Sequence, residues 1–157
     1  MQSVTYSFVD CSAQIIGPGA LFDLGNGAGV AEEGITIEML EDKGSVVMGA
    51  DGTPMQTLHA GSAGRITVRL LKTSTVNALL AAAYHFQTLT SANWGQNLIV
   101  VRMTAWGDVI TASACSFQKF PNLTYAKEAG VNEWQFAAGQ IIGMLGSGAG
   151  VNGIVGQ

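Results

Sequence analysis

The sequence predicts a mainly β protein with one central α-helix, a β-sandwich or barrel carrying a long extended hairpin. Three observations lead there. Short runs alternate in polarity, as where Ile66, Val68 and Leu70 interleave with Thr67, Arg69 and Leu71, the period of a half-buried strand. One segment, Ser74 to Gln87, changes period: Val76, Leu79, Leu80, Ala83 and Phe86 recur as one helical stripe, and its alanines and leucines favour a helix intrinsically. Asp51-Gly52 stands between two β-rich runs poor in charge, a strong hairpin signal.

In chain order, Val4, Tyr6 and Phe8 alternate with Thr5 and Ser7 and predict a first strand, continued by a short one over Ala13 to Ile16 and stopped at Gly17-Pro18-Gly19. From there to Gly34 a short apolar piece is followed by glycines at 25, 27 and 29, and the segment 17–34 reads as a flexible glycine-rich loop. The glycine spacing invites a phosphate-loop reading, but Val30 occupies the place of the next fingerprint glycine, no Gly-Lys-Ser/Thr ending is present, and a strand rather than a helix is expected to follow. Ile35, Ile37 and Met39 mark that strand, and the hairpin Ser45 to Ala60 comes next. Thr73 or Ser74 is placed to cap the helix. After a loop at Thr90 to Gly95, Gln96 to Thr104 and Asp108 to Phe117 form a second hairpin turning at Trp106-Gly107-Asp108. Leu98 and Val100 oppose Ile99 and Val101 on its first strand, so both faces call for cover. Leu123 to Lys127 reads as a short extended piece, Asn132 to Gln140 as the last strand, with Trp134, Phe136 and Ala138 on one face, and 143–157 as a mobile glycine-rich tail.

The chain of 157 residues suits one domain spanning 1–157. Charged residues are 11% and hydrophobic residues 48%, against about 25% charge in ordinary soluble domains. Such a surface needs either lipid or copies of itself. No apolar run approaches the ~20 residues of a spanning helix, so membrane insertion is not expected. The N-terminus shows neither a basic region nor an apolar core, so no secretory signal is expected either. A net charge of −4, with basic residues scattered, gives no electrostatic footprint for gripping nucleic acid.

Chemistry is equally thin. Cys11 and Cys115 lack metal or redox spacing and read as two small buried thiols. Cys115, His85 and Asp108, or Cys11 and His59, can be assembled on paper into a nucleophilic set, but without any signature. Glu32-Glu33 and Glu41-Asp42 read as solvated loop charges. Tyr84 and His85, at the far end of the helix, have no further ligands around them for a metal. No enzyme, no cofactor and no metal are therefore expected.

The stretches VVMGADGTPMQTLHAGSAGRITVRLLKTSTVNALLAAAYHFQ and GQNLIVVRMTAWGDVITASACSFQKFPNLTYAKEAGVNEWQFAAG resemble the tail tube proteins of contractile-tailed phages. The most specific pieces are MGADG with Leu58-His59, the run TVRLLKTSTVNALL, and Tyr125-Ala126-Lys127 with Asn132-Glu133-Trp134-Phe136; the likeness runs from Thr36 to Gly139. It implies a protomer of hexameric rings that stack into a hollow tube inside a sheath, with DNA passing the lumen in transit. The implied location is the virion tail, assembled in the host cytoplasm. The implied partners are copies of the chain, the tail sheath protein, baseplate and tail-terminator proteins, and a tape measure protein in the lumen. In such tubes long hairpins line the lumen, and the same architecture occurs in type VI secretion and phage-like bacteriocin tubes. On that footing Val46, Val47, Met48, Asp51, Gly52, Met55 and Leu58 are expected to line the lumen or reach the next ring. Leu21, Phe22 and Leu24 of the loop, with Val151, Ile154 and Val155 of the tail, are expected as apolar anchors between rings. A tail-completion or capsid decoration protein and a ligand-binding β-barrel are the other readings.

Overall fold

The computed structural model describes residues 5–25 and 30–146. Its strands are β1 (Cys11–Gly17), β2 (Ala20–Gly25), β3 (Val30–Met39), β4 (Gly44–Met48), β5 (Pro54–Leu58), β6 (Gly64–Leu71), β7 (Asn97–Met103), β8 (Asp108–Lys119) and β9 (Val131–Met144), with one helix, α1 (Val76–Gln87), between β6 and β7. Seven strands form one antiparallel sheet in the order β2-β1-β7-β8-β9-β6-β3. β4 and β5 pair only with each other. The mainly β class with one helix and a projecting hairpin is thus the observed architecture. The sheet is not a closed barrel, because β2 and β3 are left as edges.

One sheet face carries the core. Ile15, Ile66, Val68, Leu70, Ile99, Phe117, Trp134 and Phe136 are essentially sealed from solvent, each at the alternate position that the two-residue strand period sends inward. Helix α1 lies across this face. At its start the indole Nε1–H of Trp134 in β9 donates to Asn77 Oδ1 at 3.0 Å, and at its end Gln87 meets Asn97 of β7. Between these anchors Tyr84 packs edge-on against Phe117 of β8, with ring centroids 5.5 Å apart. Ser74 Oγ accepts from the Val76 N–H at 3.3 Å and so caps the first turn.

Four expectations are corrected. The alternation at Tyr6 and Phe8 is not a strand: residues 8–10 make a turn of 3₁₀ helix and the strand begins at Cys11. Phe8 instead packs on the core, and Thr104 donates through both N–H and Oγ1 to Asp10 O at 3.2 Å, tying the N-terminal segment to the end of β7. The segment 17–34 is strand over 20–25 and 30–34, because backbone pairing with β1 and β6 satisfies it; residues 26–29 lie outside the described residues. β9 runs through Gly139 and Gly143 to Met144, held by its register with β8 from Val109 to Lys119, so the tail begins later than its glycines suggest. The helix is rotated from the expected stripe. Leu80, Ala83 and Gln87 are buried and Val76 and Tyr84 partly so, while Leu79 and Phe86 are about half exposed, Phe86 lying against Gly19 of the β1–β2 turn.

Candidate assembly surface

The hairpin β4–β5 continues the β3–β6 pair beyond the edge of the sheet. Met39 pairs with Gly64, and the Leu40 N–H still donates to Ala63 O, but the His59 N–H donates to Lys43 O and Gly44 pairs with Leu58. The return arm therefore carries one more residue than the outgoing arm between these points, a bulge at Ala60 to Ser62 of the kind that bends and twists a ribbon. Lys43 Nζ donates to Ala60 O, Gly61 O and Ser62 Oγ at 3.4, 3.1 and 3.3 Å, filling the acceptors that the bulge leaves unpaired. The Ile141 N–H donates to Ser62 O at 2.9 Å, so the foot of the hairpin is also tied to β9.

At the tip, Gly52 takes φ +87°, the left-handed region open to glycine. Its N–H donates to Gly49 O, the Gly49 N–H to Thr53 O, and the Thr53 N–H to Asp51 Oδ1 at 3.0 Å. That last bond holds the Asp51 carboxyl below its ordinary pKa. Every residue of both arms is exposed. Val46, Val47, Met48, Met55 and Leu58 stay between 55% and 80% accessible, so apolar side chains project from both faces of a two-stranded ribbon. A lone two-stranded ribbon is marginal in water, and this one presents the apolar surface of a buried element.

Further surface is unfinished. β2 and β3 are open edges whose unpaired backbone groups can accept another strand. On β2, Leu21 points out at 75% exposure and Phe22 packs against the core. Leu24 is fully buried in its own subunit and is thereby removed from the expected inter-ring anchors. Val151, Ile154 and Val155 lie outside the described residues. Leu98 and Val100, expected to be covered, are half-buried in the single chain. Around β3, β6 and β9 the outer sheet face is polar and pairs charges: Arg65 Nη1 to Glu38 Oε1 at 3.2 Å, Arg69 Nε to Glu133 Oε2 at 3.3 Å, and Arg69 Nη1 donating to Thr36 Oγ1 at 2.9 Å. On β1, β7 and β8 it carries Ile16, Leu98, Val100 and Val109 beside Arg102 and Lys119, which form no ion pair among the described residues.

No arrangement for covalent chemistry emerges from the paired candidates. Cys115 is buried and unbridged, and burial pushes its thiol up to about 11, away from the thiolate that nucleophilic attack requires. Asp108 lies seven residues away along β8, about 23 Å at the strand rise. Cys11 is likewise buried with its thiol raised by desolvation, whereas His59 belongs to the exposed foot of the hairpin. His85 is exposed and takes part in an aromatic group with Tyr84 and Phe120. Among the described residues no three His, Cys, Asp or Glu side chains gather as a metal site, and no helix is long and apolar enough to cross a membrane. The interior is filled by Trp134, Phe117, Phe136 and Leu80, where a ligand-carrying barrel would need a cavity.

Two sheet edges and both faces of the ribbon are thus left uncovered by the described residues of the subunit. The family model described as bacteriophage PhiTE tail tube protein matches residues 3–146, and the chain belongs to this family. It is accordingly a structural protein of the tail-tube type and a tail component, not an enzyme. Solved structures with the same fold include the anti-feeding prophage cap, a tube-terminating cap (TM-score 0.56, 12% identity, 92% of this chain and 95% of that one). Others are the sheath/tube terminator of the extracellular contractile injection system PVC in its extended state (TM-score 0.55, 10% identity, 85% and 92%) and the PVC sheath-tube complex in the same state (TM-score 0.53, 10% identity, 86% and 88%). No curated protein matches the sequence.

Proposed function

We propose that the chain forms hexameric rings that stack into the hollow inner tube of a contractile phage tail and conducts DNA during ejection. The observation that carries this reading is the β4–β5 hairpin, apolar on both faces and in contact with no other part of its own subunit's sheet beyond its foot. Burying it against neighbouring subunits removes five large side chains from water, at about 25 cal/mol per Å² of apolar surface. The open β2 and β3 edges supply the means for neighbours to join sheets into a continuous barrel. Around β3, β6 and β9 the Arg–Glu pairs neutralise the outer face, which suits a bore through which phosphates pass without being held. In this setting the sheath protein surrounds the tube, the baseplate and terminator close its ends, and the tape measure protein occupies the lumen before DNA does. Leu21 remains a contact for a neighbouring ring or subunit, as do Val151, Ile154 and Val155.

Negative-stain microscopy of the purified protein tests the reading, with long tubes expected. Deleting Val47 to Thr57 should leave a folded, soluble domain that forms no tubes, and normal tubes from that deletion would remove the hairpin from the assembly. A tube-terminating role, suggested by the cap and terminator structures that share the fold, predicts single rings instead of filaments. A tube of a phage-like bacteriocin or secretion particle predicts the same filaments without DNA in the native particle. A tail-completion or decoration protein again predicts closed rings.

A further inference from the structure

The hairpin foot and one groove lie toward opposite ends of the β6–β9 ladder, which runs from Gly64 and Ala138 to Leu71 and Val131. β6 runs from Gly64, beside the hairpin foot, to Leu71, a span of about 23 Å. Beyond Leu71, a groove of about 330 Å³ opens between the 120–130 loop and the outer face of β8 and β9, lined by Lys119, Asn122, Thr124, Val131, Glu133 and Gln135. Its loop wall is fixed to the body by Lys72, whose Nζ donates to Thr124 O at 2.6 Å and lies 4.2 Å from the Tyr125 ring centre. Leu71, Leu123, Tyr125 and Val131 around it are all exposed apolar side chains.

The charges at the two ends are complementary. Asp51 at the tip is the one charged residue from Gly44 to Leu58, and its lowered pKa keeps it ionised. The charged residues lining the groove are Lys119 and Glu133, with Arg69 against Glu133 and Lys72 against the Thr124 carbonyl of its wall. Glu133 is engaged by Arg69, and among the described residues Lys119 and Lys127 have no ion-pair partner.

We propose that the tip of the β4–β5 hairpin of one copy seats in the Lys119–Gln135 groove of a second copy, with Asp51 facing Lys119 and the apolar arms covering Leu123 and Val131. The contact is head-to-tail, since the two surfaces differ, and a contact of that kind propagates instead of closing at a dimer. It rests on the tube reading, and specifies which surface receives the hairpin.

A variant carrying both Asp51→Cys and Lys119→Cys, assembled and oxidised, tests this; the native Cys11 and Cys115 are buried and stay out of the reaction. A non-reducing gel should show a ladder of chains longer than dimers, and neither single variant should give it. Tubes present without a ladder overturn this inference and leave the tube reading standing. Neither tubes nor ladder from the folded double variant, and no tubes from the folded parent protein either, overturns both. In parallel, Lys119→Asp should raise the critical concentration for assembly about fivefold, the size of one exposed ion pair lost, and adding Asp51→Lys should restore it. A double variant no better than Lys119→Asp alone contradicts the pairing.

Discussion

Gln87 and Asn97 face each other through two reciprocal 2.8 Å hydrogen bonds, sealed from solvent between α1 and β7. Gln87 Nε2 also donates to Pro18 O at 2.8 Å, and Asn97 Nδ2 to Cys115 O at 3.1 Å. All four amide protons are used, and the helix, the β1–β2 turn, β7 and β8 meet at one point. Replacing Gln87 by leucine strands the Asn97 amide and the Pro18 carbonyl, and should cost roughly 2 to 3 kcal/mol. Urea denaturation of Gln87→Leu, Asn97→Leu and the double variant should give non-additive losses, because the second substitution no longer breaks a satisfied pair.

Two adjacent leucines should behave oppositely. Leu80 is fully buried and Leu79 is 46% exposed. Leu80→Asp places a carboxylate without a partner in the core and should abolish soluble protein, a loss of several kcal/mol. Leu79→Asp should melt within a few degrees of the parent. Equal melting of the two variants would contradict the observed rotation of α1.

Ala114 holds φ +52°, where β8 carries one residue more than β7 between Ala112 and Cys115. A side chain pays roughly 1 kcal/mol for the left-handed region, so Ala114→Gly should raise the melting temperature by a few degrees. Across the ladder, a Cβ on Gly139 would approach that of Ala114 to 3.0 Å. Gly139→Ala should therefore destabilise, and less so when Ala114→Gly is present.

Cys115 links stability to alkaline pH. Its thiol is held at about 11 in the fold, against an ordinary thiol value of 9.0, so between those values the native state keeps a proton that the unfolded state loses. Stability should be unaffected by this group below pH 9 and should fall as pH rises from 9 toward 11, by at most about 1.4 kcal/mol per unit. Cys115→Ala should flatten that part of the profile. At pH 8 the native thiol should resist alkylation until the protein is unfolded.

Much of this architecture is legible from local pattern. The hairpin was readable because Asp51-Gly52 specifies a turn irrespective of tertiary context, and β6 because its alternation is clean. The helix was readable as a helix but not in its rotation: Leu79, Leu80, Ala83 and Phe86 fall within about a third of its circumference, and the inner face is turned from that stripe toward Gln87, a polar residue buried with its partner Asn97. Glycines misled twice in the same sense, since the pairing of β2 with β1 and of β9 with β8 satisfies backbone that reads locally as loop and overrides its freedom. The apolar hairpin residues stood out by their low charge, but Lys119 and Glu133 of the groove are brought to one face only by the pairing of β8 with β9.

On the tube reading, the hairpin's isolation from its own subunit governs how growth starts. A ribbon stable only against neighbours must order each time a chain joins, and a ready-made end offers that support while two free chains offer little. Starting a new polymer is then slow and lengthening one is fast. Purified protein should show a lag that short preformed fragments abolish, and inside a cell a dedicated starting platform would decide where and how many polymers arise.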